Sequence, residues 1–260
     1  MSHLHIPDGV LPVWLWLSGW IVAVIWVALV CILGRRRWDL RRKVPLVGIS
    51  AALMVIAMTL EIAPLDYHLN LSVITGIILG PFLAPLAALI TEVFLALVGH
   101  GGVTVIGLNT LILSIEMILG WALFKGLRVV FGAVIHKGSA RTAASAAVAT
   151  VLALICATSL TVGVVALATP ALSAERIAHE SGATQARQAA SDDADQLSLT
   201  TFIAVIYTLG PFGWAIEAGV TSVALVYLDR LRPGLVAGSR RRERGDGSGG
   251  VTAGMRQEGA

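Results

Sequence analysis

The segment from Leu11 to Leu33 contains no Asp, Glu, Lys, Arg or His. A helix needs about 20 mainly apolar residues to cross the hydrocarbon core of a bilayer, and this segment is long enough. Trp14, Trp16 and Trp20 lie near its start, where tryptophans commonly mark a membrane–water interface. Because an uncharged helix of this length has no polar face to turn toward water, we predict that it spans a membrane.

The composition of the whole chain agrees with a membrane protein. The 260 residues are 56% hydrophobic and only 13% charged, whereas about 25% of the residues in a soluble domain are charged. The 27 glycines suit helices that approach one another closely inside a bilayer. We therefore predict an all-α integral membrane protein that folds as a compact bundle.

Further apolar segments divide residues 11–228 into about seven transmembrane helices. The third and fourth form a tight pair split near Pro81 and Pro85, which either crosses the membrane or is re-entrant. Gly76 and Gly80 form a GxxxG pattern, which is typical of a close helix contact. Outside this pair, the predicted segments are 11–33, 44–62, 104–124, 142–169 and 200–228.

Charge predicts the orientation of the bundle. Residues 35–43, 125–141 and the tail 229–260 are basic, and seven spans put all three on one side. The loop 171–199 on the other side is acidic. Cytoplasmic loops carry the excess of Lys and Arg, so we expect the N-terminus outside and the C-terminus in the cytoplasm. The basic tail, which we expect to be disordered, suits anionic lipid better than nucleic acid.

Residues 1–10 form a candidate metal-chelating segment. A free α-amino group, a backbone amide and an imidazole together offer a tetragonal nitrogen set, which suits Ni(II) or Cu(II). As written, His3 is the third residue, and it becomes the second if Met1 is removed. If translation starts at Leu4, His5 becomes the second. The alternative is a polar leader with no ligand role.

Two further histidines fall at segment ends on the predicted outer side. His68 lies between the second and third spans, where a histidine is either a ligand or a hydrogen-bonded interfacial residue. His100 has a glycine on each side, which permits a sharp turn. It is a ligand, a residue that orients one, or a turn residue.

Four acidic residues lie within or near the apolar spans, and three of them lie deep. An ionisable side chain inside a membrane is a candidate functional residue. Hydrogen-bonded structural roles explain these residues equally well, so their roles stay open here. The four are Glu61, near the outer end, and the deeper Glu92, Glu116 and Glu217.

Three motifs together resemble one family, the CbiM/NikM substrate-binding membrane components of energy-coupling-factor cobalt and nickel transporters. They are HIPDGVLP, YHLNLSVITGIILGP and GHGGVTVIGLNTLILSIE. In this family the terminal amine, the amide and imidazole of the second residue, and a downstream histidine bind the ion. The resemblance implies His5 and His68 as metal ligands, with Leu4 supplying the amine if it is the true initiator. His3 is the alternative terminal ligand.

Four residues of the same motifs are assigned to the wall of the site or to positions behind the ligands. The resemblance places His100 and Asn109 there, and Asp8 and Asn70 join them. The chain departs from the family at its start, where Met-Ser-His precedes Leu-His-Ile instead of the usual Met-His-Ile. The exact ligand set therefore depends on the true start residue.

The resemblance implies a transporter subunit and not an enzyme. It predicts the substrate-specificity (permease) component of an ATP-driven importer, with Co(II) or Ni(II) as transported substrate and no permanent cofactor. Expected partners are a transmembrane scaffold, two cytoplasmic ATPase subunits, a small accessory membrane subunit and the lipid bilayer, with no nucleic acid. The expected location is the prokaryotic cell (inner) membrane. The chain has no Walker A pattern of its own.

Two alternatives follow from the residues themselves. A proton-coupled secondary carrier would use Glu92, Glu116 and Glu217 as a relay. A membrane-embedded zinc metalloenzyme would use His68 and His100 as ligands and would also need an open coordination site. The sequence does not decide cobalt from nickel, the identity of the partner chains or the role of the loop 171–199.

Overall fold

The computed structural model describes residues 6, 8, 9, 11–35, 43–62, 67–179 and 185–232. These residues confirm the all-α prediction, apart from one small ribbon of two antiparallel two-residue strands that the sequence did not predict. The helices are α1 (Val13–Arg35), α2 (Val44–Thr59), α3 (Ser72–Leu79), α4 (Ala84–Val98), α5 (Ile106–Gly132), α6 (Gly138–His179) and α7 (Gln185–Leu231), and the strands are β1 (Glu61–Ile62) and β2 (Tyr67–His68).

Among the described residues, four helices are long and apolar enough to cross a bilayer, which supports a multi-pass membrane protein. The apolar α2 and α4 are shorter. The helix α3 has eight residues, or about 12 Å at 1.5 Å per residue, so it does not cross a bilayer of about 30 Å by itself. The four long stretches are Val13–Leu33, Ile106–Gly132, Gly138–Ala168 and Ile203–Leu231.

Helix α6 continues to His179 and α7 begins at Gln185, so helix occupies most of the stretch 171–199. Eight of the 29 residues in this stretch are alanine, the residue with the highest helix propensity. Its assignment as the outer connection between the last two spans stays a prediction. The predicted basic tail begins at residue 229, and its residues after 232 lie outside the described part of the chain.

The centre of the bundle is α5. Of its apolar stretch, 61% is buried, against 22–33% for the other three long helices. It packs against α1, α3, α4 and α6, and α7 packs mainly on α6. Residues on α5 can therefore reach several parts of the bundle at once.

Glycines permit the close approaches around α5. A Cβ at Gly76 would overlap the backbone of Met117, so the contact predicted from the GxxxG pattern is confirmed at Gly76. Gly80 differs, because its φ of 76° ends α3. On the other side of α5, a Cβ at Gly107 would lie 2.6 Å from the Cα of Trp20 in α1.

Cationic side chains gather at the end of the bundle where α3 and α5 finish. The Lys43 Nζ donates to the carbonyl of Ile78 at 3.4 Å, in the last turn of α3. Next to this turn, the Lys125 Nζ lies 4.2 Å from the ring centre of Trp121. The Arg128 Nη2 lies 3.9 Å from the Asp229 Oδ2, near the end of α7. Clustering of cations at one end of the bundle is what the positive-inside rule requires. Which end faces the cytoplasm stays a prediction.

Candidate metal centre

The ribbon that follows α2 positions His68. In the β1–β2 pair, Glu61 lies opposite His68 and Ile62 lies opposite Tyr67. His68 is the last residue of the ribbon and is half-buried. The strand pairing fixes the backbone of this histidine at the end of the bundle away from Lys43 and Arg128.

The C-terminus of α4 positions His100. Gly99 adopts a φ of 85°, in the left-handed region, and the His100 N–H donates to the Leu95 carbonyl at 2.9 Å. This is a Schellman motif, in which a glycine allows the chain to leave a helix sharply. Gly101, on the other side, has a φ of 130°. The flanking glycines of the sequence therefore serve the turn that presents His100.

The two histidines, far apart along the chain, come together in the fold. Their ring centres are 5.9 Å apart and their planes meet at 86°. The Nδ1 atom of His100 is buried and, among the described residues, has no hydrogen-bond partner. Two imidazole rings thus border one small region at the end of the bundle, and the role of His100 in the wall of a metal site stays a prediction.

Asn109 holds the backbone of the N-terminal segment. Its Oδ1 accepts a hydrogen bond from the Ile6 N–H, and its Nδ2 donates to the Ile6 carbonyl, both at 3.4 Å. An asparagine amide offers one acceptor and two donors, so it can pair with a backbone as a neighbouring strand would. Ile6 directly follows His5, so Asn109 fixes the chain next to the predicted ligand.

Apolar packing holds the same segment. The Ile6 side chain is 2% exposed and belongs to a core cluster between the N-terminal residues and helices α5 and α6. Full burial of an isoleucine contributes about 1.5–3 kcal/mol. Ile6 is therefore held inside the bundle. The buried members of the cluster are Ile6, Leu11, Val105, Leu108, Ile112, Ala157 and Ala168.

Asp8 attaches the segment to the histidine loop, residues 99–105. Its Oδ2 accepts from the Val103 N–H at 2.9 Å, and its Oδ1 accepts from the Thr104 N–H at 2.9 Å and from the Thr104 hydroxyl. The hydroxyl and the N–H of Thr104 lower the pKa of Asp8 and outweigh the opposing effect of desolvation, and the Val103 N–H adds a smaller lowering. The Trp20 indole also donates to the Thr104 carbonyl at 2.7 Å.

Asn70, two residues after His68, connects its loop to two buried carboxylates. Its backbone N–H donates to Glu217 Oε1 and its side-chain amide donates to Glu116 Oε1, each at 2.7 Å. The Ser72 hydroxyl also donates to Glu116 Oε1. Glu116 and Glu217 therefore have hydrogen-bonded roles, which was one of the two alternatives. The sequence signal was an acid inside an apolar span, but it did not reveal the partner.

Of the remaining predicted residues, two lie in the described part of the chain and three do not. Glu92 is 2% exposed within α4, and Glu61 lies in β1. His3, Leu4 and His5 lie outside the described residues. Within the part of the chain that the structure describes, no three His, Cys, Asp or Glu side chains come together as a metal site. The predicted ligand set depends on residues 3–5, so it stays a prediction.

Two solved structures resemble this chain in fold. These structures, titled as a transition metal transporter and a truncated transition metal transporter, are 17% and 18% identical to this chain. The match to the first structure includes 93% of this chain and 100% of the chain in that structure. The match to the second includes 88% of this chain and 99% of the other. Each has a TM-score of 0.63. At these identities the likeness shows the fold. No curated protein sequence matches the chain.

The family match covers most of the chain. The CbiM family model, described as the cobalt uptake substrate-specific transmembrane region, matches residues 5–235. The match begins at the histidine that precedes Ile6 and ends beyond α7, so it includes every element that builds the histidine site. The chain therefore belongs to the CbiM family of cobalt uptake substrate-specific transmembrane regions.

Proposed function

We propose that this chain is the substrate-specificity component of an ATP-driven energy-coupling-factor importer, with Co(II) or Ni(II) as its substrate. The observation that carries the proposal is the pairing of His68 with His100, in a bundle that also holds Ile6 through Asn109 and Asp8 through the histidine loop. The histidine loop carries His100 near its start and the hydrogen-bond donors to Asp8 near its end. The segment and the two rings are therefore parts of one end of the bundle.

The proposed ligands are nitrogen atoms. His68 supplies one imidazole and the N-terminal segment supplies the others, through His5 with a Leu4 terminus or through His3. Such a set favours ions that accept tetragonal nitrogen coordination. Asn109 and Asp8 would hold the segment in the geometry that the ion requires. His100 would line the site, with its buried Nδ1 available to orient a ligand or a bound water.

Transport needs more than this bundle. The family description calls the chain the substrate-specific region, which supports a division of labour with other subunits. We propose a transmembrane scaffold and two cytoplasmic ATPases as partners, with a small accessory membrane subunit as a further candidate. In our proposed orientation, in a prokaryotic cell membrane, the histidine end faces outward and the cationic end with Lys43 and Arg128 faces the cytoplasm.

The proton-coupled carrier has less support. A relay through Glu116 and Glu217 would need these carboxylates to exchange protons readily, yet Asn70 and Ser72 already donate hydrogen bonds to them. A carrier predicts uptake by this chain alone that an uncoupler abolishes. A specificity component predicts uptake only with the ATPase subunits present.

The first test combines N-terminal sequencing with intact-mass measurement of the purified protein, with and without Ni(II) or Co(II). We expect one tightly held ion in the wild type and its loss in His68→Ala. His136, exposed beyond the far end of α5, provides the matched control, and His136→Ala should keep the ion. A wild type that binds no ion, or a His68→Ala variant that binds like the wild type, would overturn the proposed site.

A further inference from the structure

Two buried carboxylates on different helices meet at one loop residue. Glu217 lies on α7 and Glu116 on α5, and both accept hydrogen bonds from Asn70 at 2.7 Å. All three are nearly inaccessible, at 3%, 0% and 1% exposure. Together with Ser72 they form the Asn70 network. Nothing in the proposed ion chemistry uses the two carboxylates, although ionisable groups within membrane helices are costly to keep.

The network acts on a very short piece of chain. His68 ends β2, Asn70 follows two residues later, and α3 begins at Ser72. Two residues of extended chain span at most about 7 Å. The ribbon fixes the backbone on one side of His68, and the network fixes it on the other. The position of the His68 imidazole therefore depends on the positions of the Glu116 and Glu217 carboxylates.

Each carboxylate has its own contact with the loop. Glu217 receives the backbone N–H of Asn70, so its hydrogen bond fixes the main chain. Glu116 receives the side-chain amide of Asn70 and the Ser72 hydroxyl. Hydrogen bonds between groups buried away from water are costly to break. Loss of either carboxylate removes a hydrogen bond from a buried polar group, which is costly and favours movement of the loop.

We propose that Glu217 and Glu116 are positioning residues that act through Asn70 to hold His68 in place for the ion. The inference rests on the proposed function, because it concerns the same site. It couples α7 to the ion, since a displacement of α7 relative to α5 would withdraw the main-chain anchor of the loop. Coupling of this kind is reciprocal, so a bound ion also stabilises the arrangement of α5 and α7.

The test is a titration of the purified full-length protein with Ni(II). Removal of a group that orients a metal ligand typically costs about 10- to 100-fold in affinity, and we expect a loss of this size in Glu217→Ala. Glu217→Gln should restore most of the affinity, because its amide oxygen accepts the same backbone hydrogen bond. The control is Ser222→Ala, which removes another hydrogen bond of α7, to the Ala143 carbonyl, and should bind like the wild type.

A double-mutant cycle separates positioning from general destabilisation. If Glu217 acts through His68, then Glu217→Ala should not further reduce the weak residual Ni(II) affinity that the titration measures in a His68→Ala background. Asn70→Ala, which keeps the backbone N–H, supplies a second variant and should lose less than Glu217→Ala. Losses that simply add in the cycle, or a Glu217→Ala variant with wild-type affinity, would overturn the inference.

The same experiment distinguishes this inference from the proposed function. If His68→Ala loses the ion while Glu217→Ala keeps it, the ion site stands and only the positioning role fails. If His68→Ala keeps full affinity, the ligand assignment fails and the inference fails with it. Thermal unfolding without Ni(II) should show each variant folded before its affinity is compared.

Discussion

The Asn109 side chain and the Ile6 backbone exchange two hydrogen bonds, each 3.4 Å long, across 103 positions of sequence. Both residues are buried. The pair replaces, for one residue, the hydrogen bonds that a neighbouring strand would supply. The N-terminal residues can therefore enter the bundle without leaving a backbone N–H and carbonyl unsatisfied.

Asn109→Ala should release the N-terminal segment. The variant leaves both polar groups of Ile6 buried without these partners, at a cost of about 1–3 kcal/mol for each unsatisfied group. We expect faster amide exchange at Ile6, lower stability and weaker Ni(II) binding. Asn109→Asp is the matched variant, because its carboxylate still accepts from the N–H but no longer donates to the carbonyl. Unchanged exchange at Ile6 in Asn109→Ala would count against the anchoring role.

Gly102→Ala should displace Asp8. A Cβ at this position would lie 2.7 Å from the Asp8 Cγ and closer still to other Asp8 atoms, so the carboxylate would have to leave Val103 and Thr104. Hydrogen exchange at those two amides should rise, and Ni(II) affinity should fall.

The control for this substitution is Gly163→Ala in α6. A Cβ there meets nothing within 4 Å, and alanine favours a helix by up to about 1 kcal/mol over glycine. We expect wild-type affinity and equal or higher stability in the control. Wild-type exchange at Thr104 in Gly102→Ala would contradict the predicted displacement.

The attachment through Asp8 should survive mild acid. Its folded-state pKa lies below the ordinary value of 3.8. A carboxylate with a lowered pKa contributes stability at every pH above its unfolded value, and this contribution is lost only as the pH falls through the folded value. Protection of the Val103 and Thr104 amides should therefore stay constant from pH 7.5 to pH 5 and fall below pH 3.8.

Ion binding should behave differently over the same range. Nitrogen ligands must be deprotonated to bind a metal ion, so affinity should weaken on mild acidification. Asp8→Asn should lower Ni(II) affinity without changing the shape of this pH dependence between pH 5 and 7.5. A flattened profile in Asp8→Asn would mean that Asp8 itself titrates with the ion.

The sequence predicted those parts of the fold that the bilayer imposes. An uncharged stretch such as residues 11–33 has to become a spanning helix, because backbone polar groups in lipid must bond within the segment. The GxxxG pattern predicted the close contact at Gly76, since small residues allow helices to approach. The flanking glycines indicated the turn at His100.

The sequence could not predict which distant residues meet. Asn70 and Glu217 are separated by 147 positions, and their contact depends on how α7 is rotated against its neighbours. The Ile203–Leu231 part of α7 is apolar on most faces, so its pattern does not reveal the face that turns inward. Likewise, Asn109 belonged to a recognisable motif, but its pairing with Ile6 depends on the insertion of the N-terminal segment.

Gly76→Ala should disturb the histidine site from a distance. The α3–α5 contact at Gly76 has no room for a Cβ, because the added atom would overlap the Met117 backbone. Overpacking of this kind typically costs about 1–3 kcal/mol, and the backbone on both sides leaves little room to relax. Since α3 begins at Ser72, two residues after Asn70, its displacement should also strain the Asn70 network.

We therefore expect a lower unfolding temperature and weaker Ni(II) binding in Gly76→Ala. Gly126→Ala, on α5 itself, is the control, because a Cβ there meets nothing within 4 Å. The control should unfold at the same or a higher temperature and bind normally. If Gly76→Ala unfolds early but binds Ni(II) with wild-type affinity, α3 does not transmit its position to His68. Equal unfolding temperatures for both variants would instead contradict the close α3–α5 contact.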